Sequence, residues 1–474
     1  MSGALDAARS ALGYARAWQV GGSLRDRAIG RSTADVDIVV DGDPGEAARA
    51  IAGAARRATC FALSEEFGSW RVVAHGGAWQ VDVEPLRGGS IEMDLALRDF
   101  TVNAIGEPLA GGEPIDPLGG LADLQARRLR MAGPLSFADD PLRVLRLVRL
   151  ALELDFEPEA QTLRAAGAHA GGLSDVSAER VFAELRRIIA SPRARAGLQR
   201  MSSLGATAVL LPELDALRGV EQNRFHHLDV HGHTLEVLDR TVELTAAAPG
   251  ERAQEQLLAT LGESATEVLA LLAEPLADQM TRGEALRWGA LLHDAAKPLT
   301  REARADGRVT FIGHDARGAA LARAILGRLR ASERLRAHVA ALVSSHLRLG
   351  FLVHEPQPLA RRALFAYLRA CSPVEVDVTL LSVADRLATR GERAQEAIDA
   401  HLRLARDVLV DALRWRAEGP PRPLLRGDEL ARELGIATGP QVGELLEELA
   451  AAQYAGELGT RAEAIARARA FLER

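Results

Sequence analysis

Two aspartates, Asp35 and Asp37, stand one residue apart in the apolar run Asp35-Val36-Asp37-Ile38-Val39-Val40. In a strand both carboxylates project from one face, roughly 6–7 Å apart. Like charges so placed repel, and a divalent cation between them relieves the repulsion. Hard oxygen ligands of this kind suit Mg²⁺, which takes one or two carboxylates and completes its shell with substrate phosphates. Upstream lies Val20-Gly21-Gly22-Ser23-Leu24-Arg25-Asp26. A double glycine lets the backbone turn close to a ligand, and a helix N-terminus behind it favours an anion. Singly, an Asp-x-Asp reads as a solvated strand edge and a Gly-Gly as a plain turn. In the order turn, helix, acidic strand they point to phosphoryl or nucleotidyl transfer by a two-metal route.

A second polar cluster follows in three pieces: Leu97-Arg98-Asp99-Phe100-Thr101-Val102-Asn103-Ala104, Asp116-Pro117-Leu118-Gly119-Gly120-Leu121-Ala122-Asp123-Leu124, and Phe137-Ala138-Asp139-Asp140-Pro141-Leu142-Arg143-Val144-Leu145-Arg146. Asp140 before Pro141 is a helix start, with Asp at the N-cap and Pro at the first helical position. Asp140 and Arg143 then share one turn, where an acceptor and a fork of donors can meet the edge of a base. Asp82, in Val81-Asp82-Val83, reads equally as a third carboxylate of the site and as a solvated strand residue.

Histidines are sparse but placed suggestively. Arg224 to Leu235 contains His226, His227, His231 and His233 and reads as the opening of a helix. His293-Asp294 ends an apolar helix; His314, His346 and Asp385 come later. Imidazole and carboxylate ligands on separate helices of a bundle can converge on a metal. An adjacent His-Asp pair in an apolar helix needs partners, because burying an unpaired charge is costly.

These residues need a scaffold of two kinds. Residues 1 to about 125 alternate β-rich segments (35–40, 69–74, 79–83) with helical patterns such as 46–57; from about Pro134 onward helical spacing dominates, as in Leu142, Leu145, Val148, Leu152 and Val181, Leu185, Ile188. Breaks are expected near 106–120, 167–174 and 419–427. A chain of 474 residues predicts two to four domains, and 47% hydrophobic with 26% charged residues describes an ordinary globular protein. Two distant cysteines, Cys60 and Cys371, support neither a disulfide framework nor a thiolate metal site and suit a reducing cytoplasm. No signal peptide or membrane span is expected. The net charge of −7 argues against wholesale nucleic-acid binding, and 4% aromatics against an extended stacking platform. Lys297 is the only lysine.

The ordered set GGSLRD, DVDIVV, RDFTVNA, DPLGGLADL, DDPLRVLR and SAERVFAEL resembles the class II tRNA nucleotidyltransferase and poly(A) polymerase family over about residues 18–215. The resemblance implies an α+β chain: a polymerase-β-like nucleotidyltransferase head (1–133), an all-α neck with the base-selection element (134–220), an HD-type helical domain (221–418) and a helical tail that contacts RNA (419–474). It implies Mg²⁺ on Asp35 and Asp37 with Asp82 as third catalytic carboxylate, and the triphosphate beside Gly21, Gly22, Arg25 and Asp26. It places the ribose at Arg98 and Asp99, and the incoming base at Asp139, Asp140 and Arg143, with Arg146 completing the nucleotide site. Leu97 stands where the family has an arginine, and Asp139 where it has glutamate. Members that add all of CCA carry a long loop where only Gly88 to Ala96 separates Arg87 from Leu97, so the chain resembles members that add only CC. The histidine region resembles an HD phosphohydrolase, implying His233, His293, Asp294 and Asp385 as ligands of Ni²⁺ or Mn²⁺, and His314 and His346 beside a second metal; Ser345 departs from relatives with paired histidines there. The expected substrates are the tRNA 3′ end and CTP, with ATP as a further candidate, in the cytoplasm and away from membranes. The rivals are a poly(A) polymerase and an HD phosphohydrolase with a vestigial transferase head.

Overall fold

The computed structural model describes residues 2–13, 15–32, 34–55, 57–64, 68–222, 227–245, 259–305, 308–390 and 394–473. Arg224, Phe225 and His226 of the expected helix opening lie outside them. The chain forms two compact units, Met1–Ile188 with Ala196–Leu210, and Ile189–Arg195 with Leu211–Arg474.

The first unit is built on one six-stranded sheet in the order β3-β4-β5-β2-β1-β6. Its strands are β1 (Ala17–Val20), β2 (Asp35–Val40), β3 (Ala58–Ser64), β4 (Ser69–Ala74), β5 (Gln80–Pro85) and β6 (Gly106–Pro108). The central β2 and β5 are parallel and every other pairing is antiparallel. Alternation along β2 explains the layering: Val36, Ile38 and Val40 are buried with residues of α1 (Ser2–Leu12) and α3 (Pro44–Ala54), while Asp35, Asp37 and Val39 face the other way. Asp43 caps α3 by accepting from the Glu46 N–H, with Pro44 at the first turn. Ile38 and Ile51 are fully buried, and truncating either to Ala costs about 2–5 kcal/mol. The opposite face is covered at its β1–β2 end, where Ile91 and Leu95 of α4 (Ile91–Ala96) pack on Trp18, Val20 and Val39. At the other end β3 forms the sheet edge with Phe61 and Leu63 exposed.

Two expected breaks are structured. Gly106 begins β6 and pairs with Val20; its missing side chain suits a site where a Cβ would touch Leu95 Cδ1 at 3.4 Å. Gly167 lies inside a helix, Ala160–His169, that passes into a 3₁₀ turn over Ala170–Asp175, because tertiary packing overrides the weak helix propensity of one glycine. The unit continues through α5 (Arg143–Leu154) and α6 (Ala178–Ala190).

The second unit is predominantly helical. Its principal helices are α7 (Val230–Thr245), α8 (Arg282–Leu292), α9 (His314–Arg328), α10 (Glu333–Ser345), α11 (Glu375–Ala388) and α12 (Ala394–Glu418). A reciprocal capping box between Thr281 and Glu284 starts α8. Val237, Leu286, Ala290, Leu342, Leu381 and Leu409 belong to the shared core. Three last helices, α13 (Gly427–Leu434), α14 (Pro440–Tyr454) and α15 (Arg461–Leu472), close on a small core of their own. Among the described residues no helix is long and apolar enough to cross a membrane. The fold is therefore α+β, with the main sheet confined to the N-terminal part.

Candidate active site

The polar face of β2, α2 (Gly22–Ala28) and the facing side of α5 line a cavity of about 350 Å³. Gly21 and Gly22 form one wall, Asp35 and Asp37 another. Gly21 has φ 77°, and a Cβ there would stand 3.0 Å from Arg98 Nη1 and 3.1 Å from Asp37 Oδ2. Only glycine satisfies both the backbone and that approach. Arg25, Arg31, Arg98, Arg146, Arg149 and Arg187 bring six guanidinium groups to the lining, against the carboxylates of Asp26, Asp35, Asp37, Asp99 and Glu153. Burial pushes the Asp37 carboxyl up to about 6; Arg98 opposes this, while Glu84, Asp82 and Asp35 reinforce it. A carboxylate that resists ionisation among other acids fits a divalent cation, which would repay its charge.

A chain of hydrogen bonds holds the lining. Asp99 accepts from the Phe100 N–H at 2.8 Å and Asn103 Nδ2 at 2.9 Å on Oδ1, and from Arg146 Nε and Nη2 at 2.9 and 2.6 Å on Oδ2. Asn103 in turn accepts from Arg25 Nη1 at 2.6 Å, and Arg25 Nε donates to Asp26 at 2.9 Å. Asp99 thus lines the cavity with its oxygens already engaged. Arg98 is aimed by Asp94, which is fully buried and accepts from Arg98 Nη2 at 3.2 Å and Arg87 Nε at 2.8 Å. Sequence reasoning missed Asn103, Asp94, Arg149 and Arg187. Asn103 alone carried a signal, standing four residues after Asp99 in the quoted motif.

Several expected residues are not on the cavity lining. Asp82 shares a row with Asp37 across the β2–β5 pair, but its two oxygens accept from Arg71 Nε and Nη2, each at 2.7 Å. Asp139 is exposed. The helix expected to begin at Pro141 begins at Arg143; Asp140 still caps the preceding turn through the Leu142 N–H at 3.2 Å, and its other oxygen accepts from Arg180 at 2.7 Å. Arg143 does not face Asp140. Its Nη2 donates to the Leu97 carbonyl at 2.8 Å, and its Nη1 to Ser136 Oγ at 3.0 Å and the Arg98 carbonyl at 3.3 Å.

In the second unit all six expected residues converge. His233 Nε2 lies 3.0 Å from Asp385 Oδ1, His293 Nε2 3.1 Å from Asp294 Oδ2, and His314 Nε2 3.3 Å from Asp294 Oδ1. His233, His293 and Asp294 form one group able to hold a cation, and Asp294, His314 and His346 another. The Nδ1 atoms of His293, His314 and His346 lie 2.8, 2.7 and 2.6 Å from the carbonyls of Ala290, Phe311 and Val343. A carbonyl only accepts, so each Nδ1 carries a proton, which leaves Nε2 as the atom each ring can turn to a cation. Yet His314 Nε2 and His346 Nε2 stand 3.3 Å apart. Two nitrogens bound at 2.0–2.1 Å to one tetrahedral ion would be about 3.3–3.4 Å apart. Burial, with His293 nearby, lowers His346 to about 4, which keeps it neutral. Lys297 Nζ donates to Asp294 Oδ2 at 2.7 Å and to Gln222 at 2.6 Å.

The Poly A polymerase head domain family matches residues 17–88 and 65–130, the family described as "Probable RNA and SrmB- binding site of polymerase A" matches 155–218, and the HD domain family matches 266–390. The chain is 38% identical over 461 residues to the A-adding tRNA nucleotidyltransferase of Deinococcus radiodurans, covering 96% of this chain and 94% of the relative. It is 35% identical over 466 residues to the CC-adding tRNA nucleotidyltransferase of Thermus thermophilus, covering 96% and 93%. The chain belongs to the tRNA nucleotidyltransferase family. It is an enzyme of the nucleotidyltransferase class, and the family implies a divalent metal. Solved structures share its fold: a CCA-adding enzyme with CTP has a TM-score of 0.61 at 21% identity over 97% of this chain and 91% of that one. The Thermotoga maritima CCA-adding enzyme complexed with tRNA CCA has a TM-score of 0.58 at 21% identity over 96% and 91%.

Proposed function

We propose that the chain adds two cytidines to the 3′ end of tRNA from CTP, without a nucleic-acid template, in the cytoplasm. The observation that carries nucleotide transfer is the arginine-lined cavity closed by Gly21 and by Asp35 and Asp37 on one strand face. Mg²⁺ held by Asp35 and Asp37 would acidify the attacking hydroxyl and neutralise the departing pyrophosphate. The Gly21-Gly22 backbone admits the triphosphate, and Arg25 and Arg98 offer it donors. Asp99 fixes Arg146 and Asn103 in the lining. Base selection is assigned to Asp139, Asp140 and Arg143, the last two exchanging their present partners for the base edge. The halt after two cytidines rests on the connection between β5 and Arg98. It is short, and α4 fills it with the buried Asp94 tied to Arg87 and Arg98, so no long loop is free to reset the site for ATP. We assign the head to 1–133, the neck to 134–220, the HD-type domain to 221–418 and the tail to 419–474.

The test offers a tRNA ending at the discriminator base, and one already ending in CC, with Mg²⁺ and CTP, ATP or both. Two cytidines and a halt are expected, with ATP unused. Three added residues would make it a CCA-adding enzyme. Adenosine placed only on a tRNA already ending in CC would make it an A-adding one, and a long A tail a poly(A) polymerase.

A second reading is favoured by the two histidine–carboxylate groups that share Asp294: a phosphohydrolase centre for Ni²⁺ or Mn²⁺ acting on a phosphomonoester or cyclic phosphate. A metal bound there would supply a hydroxide nucleophile. His233, His293, Asp294 and Asp385 would hold one ion, and Asp294, His314 and His346 the other. Equilibrium dialysis of the chelator-stripped protein against Mn²⁺ should find the His314→Ala variant holding one ion fewer than the wild type. Asp294→Asn should hold none in this centre, and CTP incorporation should persist in both. Equal metal content in all three proteins would refute the centre.

A further inference from the structure

The sheet face that carries Asp37 continues past it. Asp37 pairs with Asp82, Asp82 with Arg71 and Arg71 with Phe61 in the register of β2, β5, β4 and β3. Residues so paired project from the same side. Phe61 therefore stands in line with Asp37 on the cavity side of the sheet, three strand spacings or roughly 14 Å away. Leu63 lies two residues on, at a bulge where the β3–β4 register shifts between Ala62 and Ser64, and is exposed beside it. Phe61 is 48% exposed and Leu63 46%. The reverse face of this region is buried, with Val72 and Val81 under α1 and α3. A large aromatic side chain thus lies open on the side of the sheet where chemistry is expected, with a second exposed apolar residue, Leu63, next to it.

The direction of reaction says what should cover them. Displacement at a phosphorus is in line, so the attacking and leaving oxygens occupy opposite sides of the transferred group. Gly21, Gly22 and Arg25 follow β1 and lie on one flank of β2, the flank that receives the pyrophosphate. The attacking hydroxyl then arrives from the other flank, over β5, β4 and β3. Arg71 stands midway along that path. Its Nε and Nη2 hold Asp82, which leaves the third nitrogen pointing away from the carboxylate towards a passing phosphate. Beyond it an unpaired base can stack on Phe61, a contact that works for any base because every base has a π-face.

We propose that Phe61, Leu63 and Arg71 form the track for the single-stranded 3′ end of the acceptor RNA, with Phe61 stacking one of its last bases and Arg71 meeting the adjoining phosphate. The proposal rests on the nucleotide-transfer reading given above, and its test separates the two. Full-length wild type, Phe61→Ala, Phe61→Trp and Phe61→Ala/Leu63→Ala are compared in two assays: CTP incorporation into a tRNA lacking CCA, and equilibrium binding of that tRNA by fluorescence anisotropy without CTP. Phe61→Ala should raise the KM for tRNA and its Kd together by about tenfold; Phe61→Trp should restore both, and the KM for CTP should not move. A wild type that transfers CTP alongside a double variant whose tRNA Kd is unchanged overturns the track and leaves the transferase reading standing. A wild type that transfers no nucleotide to any RNA overturns both. A variant that changes only its sedimentation coefficient, with tRNA binding intact, marks the face as a self-association surface and also overturns the proposal.

Discussion

Asp37→Ala is expected to abolish nucleotide transfer, with kcat falling on the order of 10³-fold or more while the protein stays folded. The magnitude follows from the several kcal/mol that metal-assisted charge neutralisation contributes to phosphoryl chemistry, each 1.36 kcal/mol being about tenfold in rate. The protection of the fold follows from the group's own environment. Burial, with Glu84, Asp82 and Asp35 close by, raises its carboxyl to about 6, so ionised Asp37 is a burden on the folded chain. Removing it relieves that burden, and thermal unfolding should show no loss of stability. Retained transfer in Asp37→Ala would sink the metal assignment. The same environment sets a pH dependence. A cation needs the ionised carboxylate, so binding displaces a proton and the apparent Mg²⁺ affinity weakens as pH falls through about 6. Titration of Mg²⁺ dependence at pH 5.5 and 7.5 would read this directly, and equal midpoints would contradict it.

Arg146→Met is expected to destabilise the first unit by about 1–3 kcal/mol, less than a fully buried pair would lose because the Arg146 side chain is 35% exposed and solvent screens the charge left on Asp99. Asp99 is 6% exposed and takes two hydrogen bonds from Arg146. Burial alone would raise its pKa, but Arg146, Asn103 and the Phe100 N–H outweigh that and hold it well below the usual carboxylate range. A depressed folded-state pKa means the stabilisation is complete above about pH 4, the unfolded value, and is lost as pH falls through the folded one. Urea unfolding should therefore separate wild type from Arg146→Met most widely near neutrality, the gap narrowing below about pH 4. A gap that is constant with pH would show that lost packing, not the ion pair, is responsible. Asp99→Leu/Arg146→Met should recover part of the stability, because a buried pair replaced as a pair costs far less than one partner removed.

How far these features could be read in advance depended on the range of the interaction. The pairing of Asp35 with Asp37 was legible because a strand has a period of two, so the sequence alone puts them on one face. The six residues of the second unit were legible because a resemblance ordered them; nothing in their spacing brings His233 within 3.0 Å of Asp385. Asp82 was ambiguous for a physical reason: strand register decides its neighbour, and Arg71 lies eleven positions away on a strand whose pairing leaves no local mark. Asp140 and Arg143 do lie close together in sequence, yet their side chains part, because free carbonyls at Leu97 and Arg98 draw Arg143 away. Gly106 read as a break because glycine's backbone freedom suits turns and its fit under Leu95 cannot be seen without the fold.

Lys297 lies 8% exposed, its ammonium held between Asp294 and Gln222 and 5.5 Å from the Phe311 ring centre. It is also the chain's one lysine, so the surface offers amine-directed reagents no ε-amino group. Acylating agents and crosslinkers that would label most proteins in many places are left with the α-amino group and, once the second unit opens, a single buried site. Isotope-labelled reductive methylation after denaturation and refolding would then place one lysine probe beside Asp294, and its resonance would report the occupancy of that centre without interference from any other lysine.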